Sequence, residues 1–205
     1  MKVLLINGSP HKSGCTRRAL SEVSAALNEN GIETDIVWIG NGEIHGCIAC
    51  KKCKETNRCV FDDCANELSE KMEEYDGLVV GSPVYYASAN GSLFSLLDRL
   101  FGICPYLLHK PAAAVVSARR GGTSTALDSI NKYFSIRQMP IVSSTYWNMV
   151  HGNTPEEVEQ DKEGLNTMKN LGYNMAWLIK CIETGKKNGI APPQTNSTIK
   201  TNFIR

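Results

Sequence analysis

The sequence lacks the long apolar run that a membrane-spanning helix requires. Its longest uninterrupted apolar stretches, such as residues 77–80 and 112–116, are far shorter than the roughly 20 residues that cross a bilayer. It also lacks an excess of charge, because 22 Lys and Arg balance 21 Asp and Glu, with no long basic run and no acidic tail. Nucleic-acid affinity depends on clustered Lys and Arg. We therefore expect neither a nucleic-acid partner nor a membrane partner.

We also expect no export signal. Residues 1–6, which are apolar apart from Lys2, run straight into Asn7-Gly8-Ser9-Pro10; this apolar stretch is too short for a signal peptide, and no small-residue cleavage site follows it. We therefore expect a cytoplasmic protein in a reducing compartment, where disulfides are rare. The sequence nevertheless has eight cysteines, and five of them fall within residues 47–64. This clustering favours metal binding or redox chemistry over four disulfides.

Strand-like and helix-like patterns alternate along most of the 205 residues. The predicted strands are residues 2–6, 34–39, 77–83, 112–117 and 141–144. The predicted helices are centred on residues 20–27, 65–75, 93–101, 124–134 and 155–183. This order predicts an α/β fold with a five-stranded, mostly parallel sheet and helices on both faces. We expect one domain over residues 1–185, with a cysteine-rich loop inserted at 40–64, and a polar C-terminal tail over 186–205.

Three loops follow predicted strand ends, which is where ligands bind in open α/β sheets. The first, residues 8–16, is rich in glycine and hydroxyl groups and opens onto a helix. The free N–H groups and the positive dipole end of such a helix favour a phosphate. The spacing matches neither a P-loop nor the dinucleotide fingerprint G-x-G-x-x-G. The plainer alternative is a tight turn with a helix cap.

The other two loops, residues 82–91 and 117–123, carry groups that suit a flat ligand. Two adjacent tyrosines in the second loop offer rings for stacking, and paired glycines in the third let the backbone approach a ligand closely. The alternatives are that the tyrosines cap the core and that the arginine pair of the third loop is solvated. Three such loops at one sheet edge favour a phosphate-bearing aromatic cofactor.

The cysteine-rich loop contains four thiols within thirteen positions, spaced C-x2-C-x2-C-x5-C: Cys47, Cys50, Cys53 and Cys59. The short C-x2-C steps direct successive sulfurs at a common centre, and Fe–S clusters take four Cys thiolates, so the spacing favours one 4Fe-4S cluster. Zinc is a weaker interpretation, because structural zinc sites pair two cysteine knuckles across a longer stretch. A purely structural loop and Cys64 as a substitute ligand remain open. Four cations of the loop would offset the charge of a thiolate-bound centre or form a solvated rim: Lys51, Lys52, Lys54 and Arg58.

These motifs together resemble the flavodoxin-like NAD(P)H-dependent FMN reductases, and within them the iron–sulfur flavoproteins. The matching runs, within residues 1 to about 145, are 6–10, 13–16, 81–85 with Leu93, 97–99 and the paired glycines. The resemblance implies a three-layer flavodoxin-like sandwich that binds FMN. The positions that match the family's FMN contacts are Ser9, Lys12, Gly14, Cys15 and Thr16 for the phosphate, Pro83, Val84, Tyr85, Tyr86 and Ala87 along the flavin edge, and Ser117, Arg119, Arg120, Gly121 and Gly122 near its ring. Cys15 stands where the family usually has Asn, and we interpret it as a small packing residue because backbone groups do most of the phosphate binding.

The resemblance also implies an activity. An FMN-dependent oxidoreductase of this family takes electrons from NAD(P)H and passes them to a quinone, a flavin or another small-molecule or protein acceptor. The alternative is an iron–sulfur flavoprotein that carries electrons between a ferredoxin-like donor and an acceptor through FMN and a 4Fe-4S cluster. The flavin supplies the redox chemistry, so no catalytic side chain is predicted. The family forms homodimers or homotetramers, and residues 147–153 are expected to cover the flavin or to meet a neighbouring subunit.

Overall fold

The computed structural model describes residues 1–196, 199 and 201. Its strands are β1 (Lys2–Asn7), β2 (Glu33–Trp38), β3 (Gly77–Tyr85), β4 (Ser88–Ala89), β5 (Ala112–Ala118) and β6 (Met149–His151). Five of them form a parallel sheet in the order β2-β1-β3-β5-β6, and the short β4 pairs antiparallel with the end of β3. The predicted flavodoxin-like α/β sandwich is therefore confirmed.

Helices cover both faces of this sheet. The α-helices are α1 (Cys15–Glu29), α2 (Cys53–Thr56), α3 (Cys64–Lys71), α4 (Gly91–Ile103), α5 (Thr123–Ile136), α6 (Pro155–Val158) and α7 (Lys162–Lys187), with short 3-10 turns at Met72–Glu74 and Pro105–Leu107. Side chains of a strand alternate between faces, so Val3 and Leu5 pack under α1 and α7, whereas Leu4 and Ile6 pack under α3, α4 and α5. Because both faces are buried, the central strands are almost continuously apolar.

The last parallel strand is not where the sequence predicts it. Ile141 forms only an isolated bridge to Ala112, and the strand pairing resumes at Met149, opposite Val116. The β-branched residues 141–142 look like a strand, but the chain leaves the sheet between these two contacts. The prediction of a strand at 141–144 was therefore wrong in position, although the number of parallel strands was right.

The predicted C-terminal helix is interrupted once. α6 ends at Val158, and α7 begins after Asp161, whose carboxylate accepts a hydrogen bond from the Gly164 N–H at 2.9 Å. This carboxylate caps the N-terminus of α7, which explains why a new helix starts there. α7 then continues to Lys187, two residues into the predicted tail. Positions 197, 198, 200 and 202–205 of that tail lie outside the described residues.

The order of the strands places a reversal between β1 and β3. From β1 the chain moves to β2 on one side and later to β3 on the other, and ligands of open α/β sheets bind outside the carboxyl ends of strands at such a reversal. Within the described part of the chain, no helix is both long enough and apolar enough to cross a membrane.

Candidate functional site

The loop after β1 is fixed tightly at the sheet edge. The Gly8 N–H donates to the Gly81 carbonyl oxygen at 2.8 Å, and the Asn90 side-chain amide donates to the Gly8 carbonyl oxygen at 2.8 Å. A Cβ atom on Gly8 would lie 2.8 Å from a Leu93 methyl carbon and 2.9 Å from the Gly81 oxygen. Only glycine fits at this position without a shift, so the backbone of this loop is held against β3 and the start of α4.

The same loop presents the N-terminus of α1. Gly14 is the N-cap residue, and no side chain caps this end of the 15-residue helix. The first N–H groups of such a helix have no partner within the helix and carry its positive dipole end. Just inside the helix, the buried Thr16 hydroxyl lies 2.8 Å from the hydroxyl of Ser117 at the end of β5. The first and third predicted loops therefore meet, as the rule for strand ends predicts.

The second loop is a tight hairpin in a strained conformation. Tyr86 and Ala87 connect β3 to β4 with φ angles of 50° and 58°, in the left-handed region that two-residue hairpin turns require but that favours Asn and Gly. Gly122 packs against this turn at φ 94°, and a Cβ on it would lie 2.8 Å from the Ala87 Cα. Left-handed backbone at non-glycine residues costs about 1–3 kcal/mol each and is concentrated at functional sites.

These loops surround one cavity of about 460 Å³, which falls within the range of small-molecule sites. Nine predicted cofactor residues line it: Ser9, Gly14, Cys15, Thr16, Pro83, Val84, Tyr85, Ser117 and Arg119. The other six predicted cofactor residues do not line it: Lys12, Tyr86, Ala87, Arg120, Gly121 and Gly122. The Lys12 ammonium instead lies 5.8 Å from the centre of the Trp38 ring, whose N–H donates to the Ser9 carbonyl oxygen at 2.8 Å.

A fourth loop, after β6, completes the cavity. The lining residues that were not predicted as cofactor contacts are His11, Ala118, Gly152, Asn153, Thr154 and Pro155. The last four follow a strand end directly, so the rule that identified the other loops also applies to them. Gly152 and Asn153 belong to the segment 147–153 that was expected to cover the flavin or to meet a neighbouring subunit. Thr154 and Pro155 were not predicted, because the strand was placed at 141–144. Trp147 lies 58% exposed against Tyr146 and lines a separate cavity of about 210 Å³ with His151.

Cys15 has the environment of a packing residue. Its Sγ lies 3.6 Å from the Gly152 carbonyl oxygen, within hydrogen-bond range for a thiol. Burial is the largest effect on the pKa of this thiol and raises it. A backbone hydrogen bond partly offsets burial, and the carboxylates of Glu157 and Glu156 raise the pKa further. Since the thiolate is the reactive form, a raised pKa keeps Cys15 unreactive at neutral pH.

The cysteine-rich loop forms a second site on the outer side of α4. Cys47, Cys50, Cys53 and Cys59 all line one cavity of about 60 Å³, together with α4 residues that include Arg99. All four are free thiols, and the alternative ligand Cys64 does not line this cavity. In the described part of the chain, no three His, Cys, Asp or Glu side chains converge as they would around a single metal ion.

Cys59 is the most firmly held of these four cysteines. Its backbone N–H donates to the Asn66 side-chain oxygen at 2.8 Å, and its carbonyl oxygen accepts from the Asn66 amide at 3.1 Å. Its Sγ accepts a hydrogen bond from the Arg99 guanidinium at 3.6 Å. Cys47 and Cys50 are exposed. The pocket therefore has one fixed thiol beside α4 and two exposed cysteines.

Arg99 is a buried cation at the base of this pocket. Its side chain is 1% exposed, and one Nη donates to the Asp63 carboxylate at 2.5 Å. Its Nε is buried without a hydrogen-bond partner among the described residues. A buried cation bonded to one of the four pocket thiols, with an unsatisfied donor, suits an anionic centre held by thiolates. The four cysteines that line this pocket supply the four thiols that an iron–sulfur cluster requires.

The carboxylate of Asp63 serves two partners. It accepts from Arg99 and also from the Ala65 N–H at 3.0 Å, which makes Asp63 the N-cap of α3. Partial burial alone would raise the pKa of Asp63, but the hydrogen bonds from Arg99 and Ala65 outweigh burial and hold that pKa below its ordinary value. Asp63 is therefore charged at neutral pH and balances the guanidinium.

Comparison with known proteins agrees with this geometry. Residues 1–154 match the family described as NADPH-dependent FMN reductase. The chain belongs to this family. The resemblance inferred from the sequence is thereby confirmed, and the protein is an FMN-dependent oxidoreductase of flavodoxin-like fold.

Two relatives match this chain over nearly their whole length. An iron–sulfur flavoprotein of Methanocaldococcus jannaschii is 35% identical over 192 residues, covering 89% of this chain and 100% of the relative. An iron–sulfur flavoprotein of Methanosarcina thermophila is 30% identical over 191 residues, covering 91% and 99% respectively. These matches therefore include the cysteine-rich loop as well as the sheet.

Two solved structures share the fold of this chain. The crystal structure of RosB with bound 8-demethyl-8-formylriboflavin-5'-phosphate aligns with a TM-score of 0.69 at 14% identity, covering 100% of this chain and 94% of that chain. A flavodoxin from the domain Archaea aligns with a TM-score of 0.59 at 16% identity, covering 88% and 99% respectively. At these identities the likeness shows the fold alone.

Proposed function

We propose that this FMN oxidoreductase also holds a 4Fe-4S cluster on Cys47, Cys50, Cys53 and Cys59 and transfers electrons between a small iron–sulfur donor protein and an acceptor. The observation that carries the proposal is the convergence of four free thiols on one pocket with the buried Arg99 at its base. The names of the two whole-length relatives support it.

FMN would occupy the cavity at the sheet edge. When bound, FMN supplies two-electron and one-electron redox chemistry, while the protein supplies binding and orientation. The N-terminus of α1 suits the phosphate, since Ser9, Gly14 and Thr16 line the cavity beside it. Tyr85 and Arg119 line the same cavity from β3 and from the loop after β5, beside the flavin in this assignment. No side chain is required as an acid or base.

Helix α4 connects the two sites. Its N-cap, Asn90, holds the Gly8 carbonyl in the first loop, and Arg99 follows nine residues later at the cysteine pocket. A rise of 1.5 Å per residue separates these two positions by about 14 Å along the helix. A bound cluster would supply one-electron redox chemistry, and this helix would hold Cys59 in place relative to the flavin cavity through Arg99.

A second candidate function is NAD(P)H oxidation coupled to reduction of a quinone, a flavin or another small acceptor. The description of the family as NADPH-dependent favours it. The two functions share the FMN cavity and differ in the electron donor and in the need for the cysteine pocket.

The test is a purification without oxygen, followed by the absorption spectrum and the iron, sulfide and FMN content per chain. We expect flavin bands and about four irons per chain. Fast reduction by a small ferredoxin-like protein, with slow NAD(P)H oxidation, would support the carrier. Flavin without iron or sulfide, with NAD(P)H oxidation stimulated by quinone, would support the reductase instead.

We also propose that residues 1–185 form a single domain carrying the 40–64 loop, and that the protein assembles as a homodimer or homotetramer in the cytoplasm. Light scattering coupled to gel filtration measures the assembly state directly. A monomeric mass at micromolar concentration would contradict this part of the proposal.

A further inference from the structure

We propose that Arg99 is a positioning residue that raises the reduction potential of the cluster through Cys59, and that Asp63 partly counteracts it. This inference rests on the proposed function, because it requires the cluster. Arg99 and Asp63 form one ion pair but are assigned opposite effects on the reduction potential. A purely structural role for the pair does not predict opposite effects.

The burial of Arg99 is the first reason. The cations contributed by the loop itself all lie on exposed side chains: Lys51, Lys52, Lys54 and Arg58. Water screens exposed charges strongly, whereas a charge in the protein interior acts through a lower effective dielectric constant. Arg99 is therefore the least solvent-screened of these cations, although Lys51 and Asp98 also line the pocket.

The hydrogen bond to Cys59 is the second reason. One Nη of Arg99 donates to the Cys59 Sγ, the other pairs with Asp63, and the Nε remains unpartnered among the described residues. Hydrogen bonds to the ligating sulfurs and the local net charge are among the factors that set the potential of an iron–sulfur cluster. Arg99 supplies both factors from one side chain.

The sign follows from the charges. Reduction adds one electron, taken from a ferredoxin-class donor or a chemical reductant, and no bond forms or breaks. The reduced state is more negative by one charge, so the guanidinium of Arg99 favours it and the carboxylate of Asp63 disfavours it. Removing the cation should therefore lower the potential, and neutralising the carboxylate should raise it.

The test is a redox titration of the anaerobically purified holoprotein with dithionite, monitored by the EPR signal of the reduced cluster. We expect Arg99→Gln to shift the midpoint potential downward and Asp63→Asn to shift it upward. Asn caps helices as well as Asp does, so Asp63→Asn preserves the start of α3. Arg99→Lys keeps the charge and should restore most of the potential lost in Arg99→Gln.

Arg58 and Asp62 provide matched controls. They form an exposed ion pair at 2.7 Å, directly beside Cys59 and Asp63 in sequence. Arg58→Gln and Asp62→Asn change the net charge by the same amounts as the test variants, but solvent screens them. We expect much smaller shifts in potential from these two controls.

The outcomes separate the inference from the function on which it rests. A wild-type protein with FMN but without iron and sulfide would overturn the proposed function. A wild-type cluster whose potential is unchanged or raised by Arg99→Gln would overturn the role of Arg99, and one that is unchanged or lowered by Asp63→Asn would overturn the counteracting role of Asp63. Either result would leave the cluster assignment standing. If Arg99→Gln does not fold, Asp63→Asn and Arg99→Lys still decide the question.

Discussion

The flavin cavity and the cysteine pocket are built in different ways. The cavity lies where four parallel strands end, and buried backbone contacts such as that of Gly8 with Gly81 fix its walls. The cysteine pocket lies outside the sheet, on a loop with exposed thiols, and is held by side chains, chiefly Arg99 and Asn66. A site made by the sheet depends on the stability of the whole fold, whereas a site on a loop can be lost alone.

The largest effect that separates the two regions is expected from Cys59→Ser. A serine hydroxyl is a much weaker ligand for iron than a thiolate and loses the sulfur contact with Arg99, so we expect iron and sulfide to fall to near zero while FMN per chain stays at the wild-type value. Iron, sulfide and FMN analysis of anaerobically purified protein measures this. Cys181→Ser is the matched control, because Cys181 is exposed on α7 and far along the chain. Loss of FMN together with iron would show that the two regions are not independent.

Gly8→Ala tests the flavin cavity and should leave the cysteine pocket unchanged. The added Cβ would lie closer to the Gly81 oxygen and to a Leu93 methyl carbon than van der Waals contact allows, so the loop must shift. We expect the free energy of unfolding to fall by about 1–3 kcal/mol. If about 1.4 kcal/mol of that destabilisation is also lost from the free energy of FMN binding, the FMN dissociation constant rises about tenfold.

Two measurements check Gly8→Ala: urea unfolding and fluorescence titration with FMN. Gly42→Ala is the control, because nothing lies within 4 Å of a Cβ built on Gly42. Iron content should stay at the wild-type value in both variants. Unchanged FMN affinity in Gly8→Ala would mean that the first loop does not form the cofactor site.

The sequence predicted that loops at the strand ends form one cavity, but it did not predict every residue that lines this cavity. Parallel strands bring their carboxyl ends to one edge, so glycine and hydroxyl residues such as Ser9 and Ser117 could be placed together without coordinates. The fourth loop was predicted only in part, through residues 147–153, because a β-branched pair at 141–142 resembles a strand that in fact resumes at Met149. Short-range patterns do not reveal where an edge strand leaves and rejoins a sheet.

At the cysteine pocket, too, the sequence predicted the contacts within one loop but not the side chain contributed by a distant helix. Regular C-x2-C spacing predicted that the four thiols converge, because nearby residues in one loop decide this. Arg99 was not predicted as part of the pocket, since its position depends on how α4 packs beneath a loop about 40 residues earlier in the chain. Its best sequence signal is a charged residue on the apolar stripe of an amphipathic helix.

A smaller effect is expected at the strained hairpin. Replacing Tyr86 and Ala87 by Asn and Gly gives the turn the residues that its left-handed φ angles favour. We expect the free energy of unfolding to rise by about 1 kcal/mol. FMN affinity should change less than about twofold, because neither side chain lines the cavity. Urea unfolding and FMN titration measure both, and a much larger loss of affinity would mean that Tyr86 contacts the flavin as the family resemblance implies.

The smallest expected effect concerns acid stability at the cysteine pocket. Because the pKa of Asp63 is lower in the folded chain than in the unfolded chain, its carboxylate stabilises the fold above the ordinary Asp pKa of about 4. That contribution disappears as the pH falls through the lowered folded-state pKa. Asp63→Asn should therefore unfold more easily than wild type at pH 7 and lose less stability between about pH 5 and pH 3. Urea unfolding of both proteins across this range measures the difference, and parallel curves would show that the Arg99–Asp63 pair does not stabilise the loop through charge.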